Sequence, residues 1–418
     1  MTCRIEARLY GQKVGILTKE DRRTGFRFDQ SYLDLPQRPV LGQKFEEDLE
    51  KTYRGRASYK PLPDFFANLI PEGQLRTLLE QQLGLRQGDD LALLASVGQD
   101  LPGAIALPPT EEGSGGESRG GKADRKDAEE SSGADSGEDA SRLRFSLAGV
   151  QMKFSMLLQE DKLTLPAHGV GGNWIVKFDT AAYPHLPVNE YSMLEWARRS
   201  GFDVPACELR PAEQLEALPR RYAPEGTQVL AIRRYDRTEA GPVHQEDLCQ
   251  ARGLPPDQKY EQMTYEAMAV LARALMGEKG VDEQIRRLSL VIACGNNDAH
   301  LKNWSLIYPD RIRAAWSPLY DQVSTVAWPA PARELSLKLA GVKAFGRIDR
   351  AAFDRFAERA KLPPKRVHDL VSRTLETLRD VWRNEASELP LPPDHRARLR
   401  EHWQAVPLLR EMGPLPED

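Results

Sequence analysis

Between Thr110 and Ser141 the chain reads TEEGSGGESRGGKADRKDAEESSGADSGEDAS, thirty-two residues with no Val, Ile, Leu, Met, Phe, Tyr or Trp. Such a stretch cannot bury enough apolar area to offset the ordering of its backbone, so a disordered linker is expected over 110–141. It divides the chain into separate folding units. Ten of its residues are acidic and four basic, so the whole-chain charge of −4 becomes −6 on the linker and +2 on the other 386 residues. A near-neutral body of this kind is not built to coat a nucleic acid, although a local basic patch stays open. Cys3, Cys207, Cys249 and Cys294 are scattered without a C-x-x-C pair, which argues against a zinc ribbon or a disulfide framework and fits a reducing compartment. The opening MTCRIEARLYGQ is charged and alternating rather than continuously apolar, and no run approaches the ~20 apolar residues of a membrane span. A soluble, cytoplasmic protein with no membrane partner is expected.

Ahead of the linker, alternation in Cys3–Tyr10, Val14–Leu17 and Gly25–Asp29 predicts a small antiparallel sheet. Helical spacing follows at Asp64–Ile70, Gly73–Leu83 and Asp89–Val97, so residues 1–109 are expected to form a compact α+β unit. After it, Phe145–Leu158, Asn173–Phe178 and Val229–Arg233 read as strands and Val188–Ser200 as a helix stopped by Gly201. Lys259–Met276 and Asp282–Cys294 read as helices ending at Gly277 and Gly295. The last third reads as nearly all helix, with Val367, Leu370, Val371, Thr374, Leu378, Val381 and Trp382 on one stripe. The fold class expected is α+β: an amino-terminal domain (1–109), the linker (110–141), a sheet-rich lobe (142–240) and a mostly helical lobe (241–418).

The loop Gly295-Asn-Asn-Asp-Ala-His-Leu-Lys-Asn303 separates a helix from a short apolar segment. Within it Asp298 and Asn303 stand five apart, the Asp-x-x-x-x-Asn spacing of a kinase catalytic loop. The residue types suit phosphoryl transfer, because a carboxylate can take the proton of an attacking hydroxyl while an amide oxygen ligates Mg²⁺ without adding charge. Lys302, between them, could neutralise the transferring group. Alone this spacing is common in polar surface loops. Eighteen residues after Asn303, behind two expected strands at Trp304–Tyr308 and Arg311–Trp316, stands Asp321, where a kinase places its second metal-binding carboxylate. Its plainer role would be a helix cap. Upstream, Lys177 sits in the apolar run Asn173-Trp-Ile-Val-Lys-Phe178, where an ammonium is costly unless an anion such as a nucleotide phosphate meets it. Lys177 on a solvent-facing side of the strand is the bland alternative, and Glu190 at the head of the next helix is its candidate partner. Phe145–Phe154 looks like a strand–turn–strand phosphate cover, though it lacks G-x-G-x-x-G and Walker A patterns.

Taken together these residues resemble the HipA family, serine/threonine-kinase toxins of bacterial type II toxin–antitoxin systems. The resemblance rests on FSLAGVQMKFS (145–155), NWIVKFD (173–179), NEYSMLEWARRSGFDVP (189–205), RRYDR (233–237), HQEDLCQARGLPPDQKYE (244–261), GNNDAHLKNWSL (295–306) and SPLYDQVST (317–325). FFANLIPEG (65–73) and LLASVGQDLPGAI (93–105) resemble the small domain that precedes the kinase in that family. The resemblance implies a bilobal protein-kinase-like domain that uses ATP and Mg²⁺, with Asp298 as base, Lys302 beside it, and Asn303 and Asp321 as Mg²⁺ ligands. It further implies that Lys177 meets the ATP phosphates and that Ala148, Gly149, Val150, Gln151, Met152 and Lys153 form the covering loop. Arg233, Arg234 and Tyr235 would be the hinge beside adenine, while His300, Leu301 and Tyr320 complete the nucleotide site. Ser146 matches a serine that such kinases autophosphorylate, and a phosphate there would repel those of ATP.

By the same resemblance the substrate would be a translation-related protein such as an aminoacyl-tRNA synthetase. The partners would be a helix-turn-helix, HipB-like antitoxin, operator DNA only through the complex with it, and a second copy of the chain within that complex. The hinge reads Arg-Arg-Tyr where Glu-Arg-Phe is expected, and VLGQKFEEDL (40–49) replaces a serine/leucine-rich segment. Two other readings compete: a DNA-bound regulatory scaffold in which kinase activity is secondary, and a small-molecule kinase on the same fold. Arg396, Arg398 and Arg400 are the basic group a scaffold would use, although a solvated helix face explains them as simply.

Overall fold

Alternation of buried and exposed side chains decides the first element. Arg4–Leu9 (β1) turns Ile5, Ala7 and Leu9 inward, and it pairs antiparallel with Gln12–Glu20 (β2), which pairs with Arg23–Phe28 (β3). Tyr53–Arg54 (β4) and Ile105–Ala106 (β5) close a five-stranded antiparallel sheet in the order β4-β3-β2-β1-β5. Its helices are Gln30–Leu33 (α1), Asp64–Ala67 (α2), Gly73–Gln82 (α3) and Asp90–Val97 (α4), the last capped by Asp89 accepting from the Ala92 amide. The computed structural model of the chain describes residues 4–20, 23–57, 59–108, 153–159, 162–164, 171–216, 223–329 and 333–416. The expected linker, and Ser146, Ala148, Gly149, Val150, Gln151 and Met152, lie outside the described residues.

The second sheet runs β10-β7-β6-β8-β11-β9. Its strands are Lys153–Gln159 (β6), Lys162–Thr164 (β7), Trp174–Lys177 (β8), Cys207–Pro211 (β9), Leu215–Glu216 (β10) and Gln228–Arg233 (β11), with the helix Leu186–Arg199 (α5) following β8. All neighbours are antiparallel except β10 and β7. The small strands Arg237–Thr238 (β12) and Gly241–Pro242 (β13) lead to His244–Asp247 (β14) and Leu248–Arg252 (α6). The helical lobe is built on Tyr265–Cys294 (α7), Arg350–Ala360 (α8), Pro364–Glu385 (α9), Pro393–Ala405 (α10) and Pro407–Glu411 (α11). Ser305–Tyr308 (β15) returns to pair with β14, and Ala315–Trp316 (β16) pairs with β15.

The amino-terminal unit does not own its core. Phe26, Phe66 and Leu94 from it pack in one continuous buried cluster with Phe154, Val176 and Phe178 of the second sheet. Burying a large apolar side chain stabilises by about 1.5–3 kcal/mol, so the two sheets hold each other. A polar seam adds to this: Arg234 pairs with Asp100 at 2.6 Å, and Asp236 accepts from the Gly103 amide at 2.7 Å.

Several expectations need correction. The helix expected from Lys259 starts at Tyr265, because Thr264 caps it by accepting from the Ala267 amide. It does break at Gly277, whose φ of 67° and ψ of −159° suit only glycine, and it ends at left-handed Gly295. Asp64–Ile70 forms a single helical turn, which stops where the Asn68 side chain bonds the carbonyls of Asp64 and Leu254. The strand expected at Arg311–Trp316 shrinks to Ala315–Trp316, since Asp310 binds the amides of Ile312 and Arg313 in a turn. The last third also holds an unforeseen hairpin, Glu334–Leu339 (β17) and Val342–Ala344 (β18), joined by Ala340 and Gly341, both with positive φ. On α9, Val367, Val371, Thr374, Leu378 and Trp382 are buried as the stripe required. Arg396 is buried and donates to the carbonyls of Leu391 and Leu389, so it belongs neither to a basic patch nor to a solvated face.

Candidate active site

Strand β8 delivers Lys177 at its buried end, and α5 begins far enough along the chain to bring Glu190 beneath it. The ammonium donates to Glu190 at 2.6 Å and also to the Asp321 carboxylate. Burial opposes the charge on Lys177, but Asp321 and Glu190 outweigh it and raise its pKa above the ordinary lysine value. The two acids respond differently. Burial raises the pKa of Glu190, whose side chain has no exposure, whereas at Asp321 the attraction of Lys177 and Lys153 overcomes burial and lowers it. Lys153 stands opposite Lys177 in the β6–β8 register, and burial lowers its pKa. Asp321 adopts φ 52°, a left-handed backbone uncommon outside glycine that orients its carboxylate back toward β8.

The loop after α7 is held by its own amides. At Gly295 a Cβ would come within 2.6 Å of Val326, so the tight exit requires glycine. Asn296 accepts from the Asp298 amide and donates to the Asp321 carbonyl, while Thr325 ties the Asn297 amide to the Gly295 carbonyl. Asn303 donates its side-chain amide to the Asp298 carbonyl at 2.7 Å, so Oδ1 is the atom that could ligate a cation. The Asp298 carboxylate remains 56% exposed to the cavity and accepts a hydrogen bond from the Tyr260 phenol at 2.8 Å. Surrounding protein raises its pKa, with Tyr260 and Lys259 opposing the shift. His300 is buried 3.9 Å from Asp298; burial, with help from Lys259, pushes its pKa down to about 3, so the ring is neutral at pH 7. Its Nδ1 is buried without a partner among the described residues.

Lys302 is placed otherwise than the reading of a phosphoryl-neutralising group would suggest. Its ammonium bonds Glu72 and the Asn68 carbonyl of the amino-terminal unit, and Glu72 also holds Lys259 at 3.0 Å. These two lysines outweigh burial and bring the Glu72 pKa to about 2. Leu301 is fully buried in the helical-lobe core, so any contact it makes with a nucleotide comes from its backbone. Tyr320 donates to the Lys302 carbonyl at 2.9 Å, and its ring lies 5.9 Å from that of Tyr235. The Tyr235 phenol bonds Gln245. Arg234 turns its guanidinium away from the expected hinge, into Asp100, Asp236 and the Leu101 carbonyl. Arg233 pairs with Trp174 across the sheet and lines the cavity.

These side chains surround one cavity of about 790 Å³, which brings Lys153, Lys177, Asp321, Asp298, His300 and Asn303 together. Small-molecule and cofactor sites are pockets of roughly 300–1,000 Å³. No group of three or more His, Cys, Asp or Glu suited to a metal occurs among the described residues. Asn303 Oδ1 and the Asp321 carboxylate, which share this cavity, are the kind of donor pair that could hold Mg²⁺ carried by a nucleotide, which takes one or two protein oxygens and completes its shell with phosphates and water. The residues that sequence reasoning missed are Tyr260 and Glu72; the contact each makes is carried by no local pattern.

Comparison with known proteins identifies the family. Residues 5–108 match the HipA N-terminal domain and residues 145–382 the HipA-like C-terminal domain. The chain belongs to the HipA family. Y4dM of Sinorhizobium fredii is 36% identical over 98% of both chains, and Y4mE of the same organism is 30% identical over 89% of this chain and 90% of its own; both carry the word kinase in their names. The serine/threonine-protein kinase toxin HipA of Shewanella oneidensis is 26% identical over 65% of this chain and 64% of its own. The solved complex of Shewanella oneidensis HipA, HipB and operator DNA contains a chain that superposes with a TM-score of 0.73, at 18% identity, over 98% of this chain and 99% of that one. The HipA kinase-like fold is therefore shared by both the amino-terminal unit and the lobes that follow it. Membership of this family, whose relatives are named kinases or putative kinases, supports a kinase, and with it the use of ATP. No helix among the described residues is long and apolar enough to cross a membrane.

Proposed function

We propose that this HipA-family chain is a serine/threonine protein kinase in which Asp298 is the general base, Asn303 and Asp321 hold Mg²⁺, and Lys177 meets the ATP phosphates. The observation that carries the reading is the Lys177–Glu190 pair, which points its ammonium at Asp321 across the cavity from Asp298 and Asn303. That is the set of parts a protein kinase needs in place at once. Mg²⁺, when bound, would neutralise charge developing between the β- and γ-phosphates. The chain's residues do the rest. Lys177 and Lys153 draw the phosphates into the cleft, and Asp298 takes the proton of the acceptor hydroxyl as the Pγ–O bond to ADP breaks. Neutral His300 adds no charge of its own to the loop. The backbone of Arg233–Tyr235 is the proposed adenine edge, with Tyr320 beside it, and Ala148–Lys153 the cover.

The physiological role proposed is growth inhibition through phosphorylation of a translation-related protein. Autophosphorylation at Ser146 would disable the cover, because a dianion there repels ATP. Neutralisation by a HipB-like antitoxin, with operator DNA bound through it, is supported by the fold shared with the chain in the Shewanella complex. The domain boundaries proposed are 1–109, 110–141, 142–240 and 241–418. The test is a phosphoproteome after brief expression, compared with Asp298→Asn. New phosphoserine or phosphothreonine on a protein in the first and not the second is expected; identical phosphoproteomes would contradict the proposal.

A further inference from the structure

One hydroxyl of the chain itself already bonds the Asp298 carboxylate. A hydroxyl that is to be phosphorylated must hydrogen-bond the catalytic carboxylate and face the γ-phosphate. The Tyr260 phenol does the first already, donating to Asp298 at 2.8 Å. It lines the same cavity as Lys177, Asn303 and Asp321. Its backbone is anchored: the Lys259 carbonyl accepts from the Leu301 amide at 3.1 Å, and the Lys259 ammonium is held by Glu72. The ring packs edge-on against His300 at 5.0 Å, yet the residue is 38% exposed, so no described residue encloses its outer face. An anchored nucleophile next to its base has the advantage of an intramolecular reaction, worth several orders of magnitude in effective concentration.

Resting on the kinase reading above, we propose that Tyr260 is an intramolecular phosphoacceptor of this site. The Tyr260 Oη attacks Pγ of ATP, the bond from Pγ to the β–γ bridging oxygen breaks, the phenolic proton passes to Asp298 and from it to water, which restores the carboxylate, and ADP leaves. The product is a phosphotyrosine of charge about −1.5 to −2 beside a carboxylate. Repulsion from Asp298 drives it outward, past the Lys259 ammonium that lies 5.6 Å from the ring. Asp298 is then free to accept the hydroxyl of a separate protein. Self-modification of this tyrosine would thus open the site to its substrate.

The full-length chain is incubated with Mg²⁺ and ATP, and its phosphopeptides are mapped by mass spectrometry at several protein concentrations. Phosphate on Tyr260 is expected at a rate per chain that dilution leaves unchanged. It should be lost in Asp298→Asn, while Tyr260→Phe should lose one phosphate per chain. In a mixture of Asp298→Asn with excess Tyr260→Phe, the one Tyr260 present belongs to the inactive chain and should stay bare; its phosphorylation would overturn the intramolecular step. A bare Tyr260 in a chain that phosphorylates itself elsewhere or consumes ATP overturns this proposal alone and leaves Tyr260 as a positioning residue for Asp298. A chain that neither takes up phosphate nor consumes ATP overturns the kinase reading and this proposal with it.

Discussion

Replacing Lys177 by Met should separate what the buried triad does for stability from what it does for nucleotide binding. The ammonium holds Glu190 and Asp321 together, two carboxylates bound to the same nitrogen. Removing it leaves Glu190 uncompensated with no exposure to water, the situation in which a broken buried pair costs about 3–5 kcal/mol. The companion change Glu190→Gln removes the stranded charge at nearly constant volume, and Asp321, a quarter exposed, can be solvated. Lys177→Met/Glu190→Gln should therefore return to within about 1–2 kcal/mol of the parent in urea unfolding. Binding should not return, because a charge-assisted bond to phosphate contributes about 1.5–3 kcal/mol, or roughly 10- to 100-fold in Kd. Urea titration and a fluorescent-nucleotide binding assay on the parent, both single variants and the double variant measure the two quantities. A double variant as unstable as Lys177→Met, or parental nucleotide affinity in Lys177→Met, would refute the reasoning.

Two further outcomes follow from the same physics. Burial raises the Glu246 pKa to about 8, so between the unfolded value near 4.5 and about 8 the folded state holds a proton that the unfolded state has lost. Stability should therefore fall as pH rises through that window, by up to about 1.4 kcal/mol per pH unit, relative to Glu246→Gln. Equal pH dependence of thermal unfolding in the two proteins would contradict this. Glu72→Gln should weaken the hold of the amino-terminal unit on Lys259 and Lys302 by about 1.5–3 kcal/mol, read as a lower urea midpoint above pH 5 that converges with the parent as the pH approaches 2. No difference at neutral pH would show that the bridge is solvent-compensated.

What could be read from the sequence were the features written into short stretches of chain. Lys177 announces itself as a cation in an apolar strand, Gly277 and Gly295 as helix breaks, and Asp298 and Asn303 as a polar interruption between helix and strand. Even the missed β17–β18 hairpin was legible, since Leu335, Leu337 and Leu339 alternate and Ala340-Gly341 permits a tight turn. The remainder depends on charges that meet only after folding. Glu72 reaches Lys259 and Lys302 from 187 and 230 residues away, and Arg234 leaves the hinge because Asp100 waits in another unit. The shared core has the same origin: periodicity identifies a buried face on each sheet but not which faces meet. Tyr260 lay inside a quoted motif, but its bond to Asp298 spans 38 residues.

The central claim is that Asp298 serves as base in a site that binds ATP through other residues. It is tested most directly by following transfer of the γ-phosphate of labelled ATP to protein, in the parent and in Asp298→Asn, with nucleotide binding measured on the same samples. The account predicts that Asp298→Asn binds nucleotide within about threefold of the parent, a difference below roughly 1 kcal/mol, and transfers no detectable phosphate. Transfer at the parental rate by Asp298→Asn would contradict it.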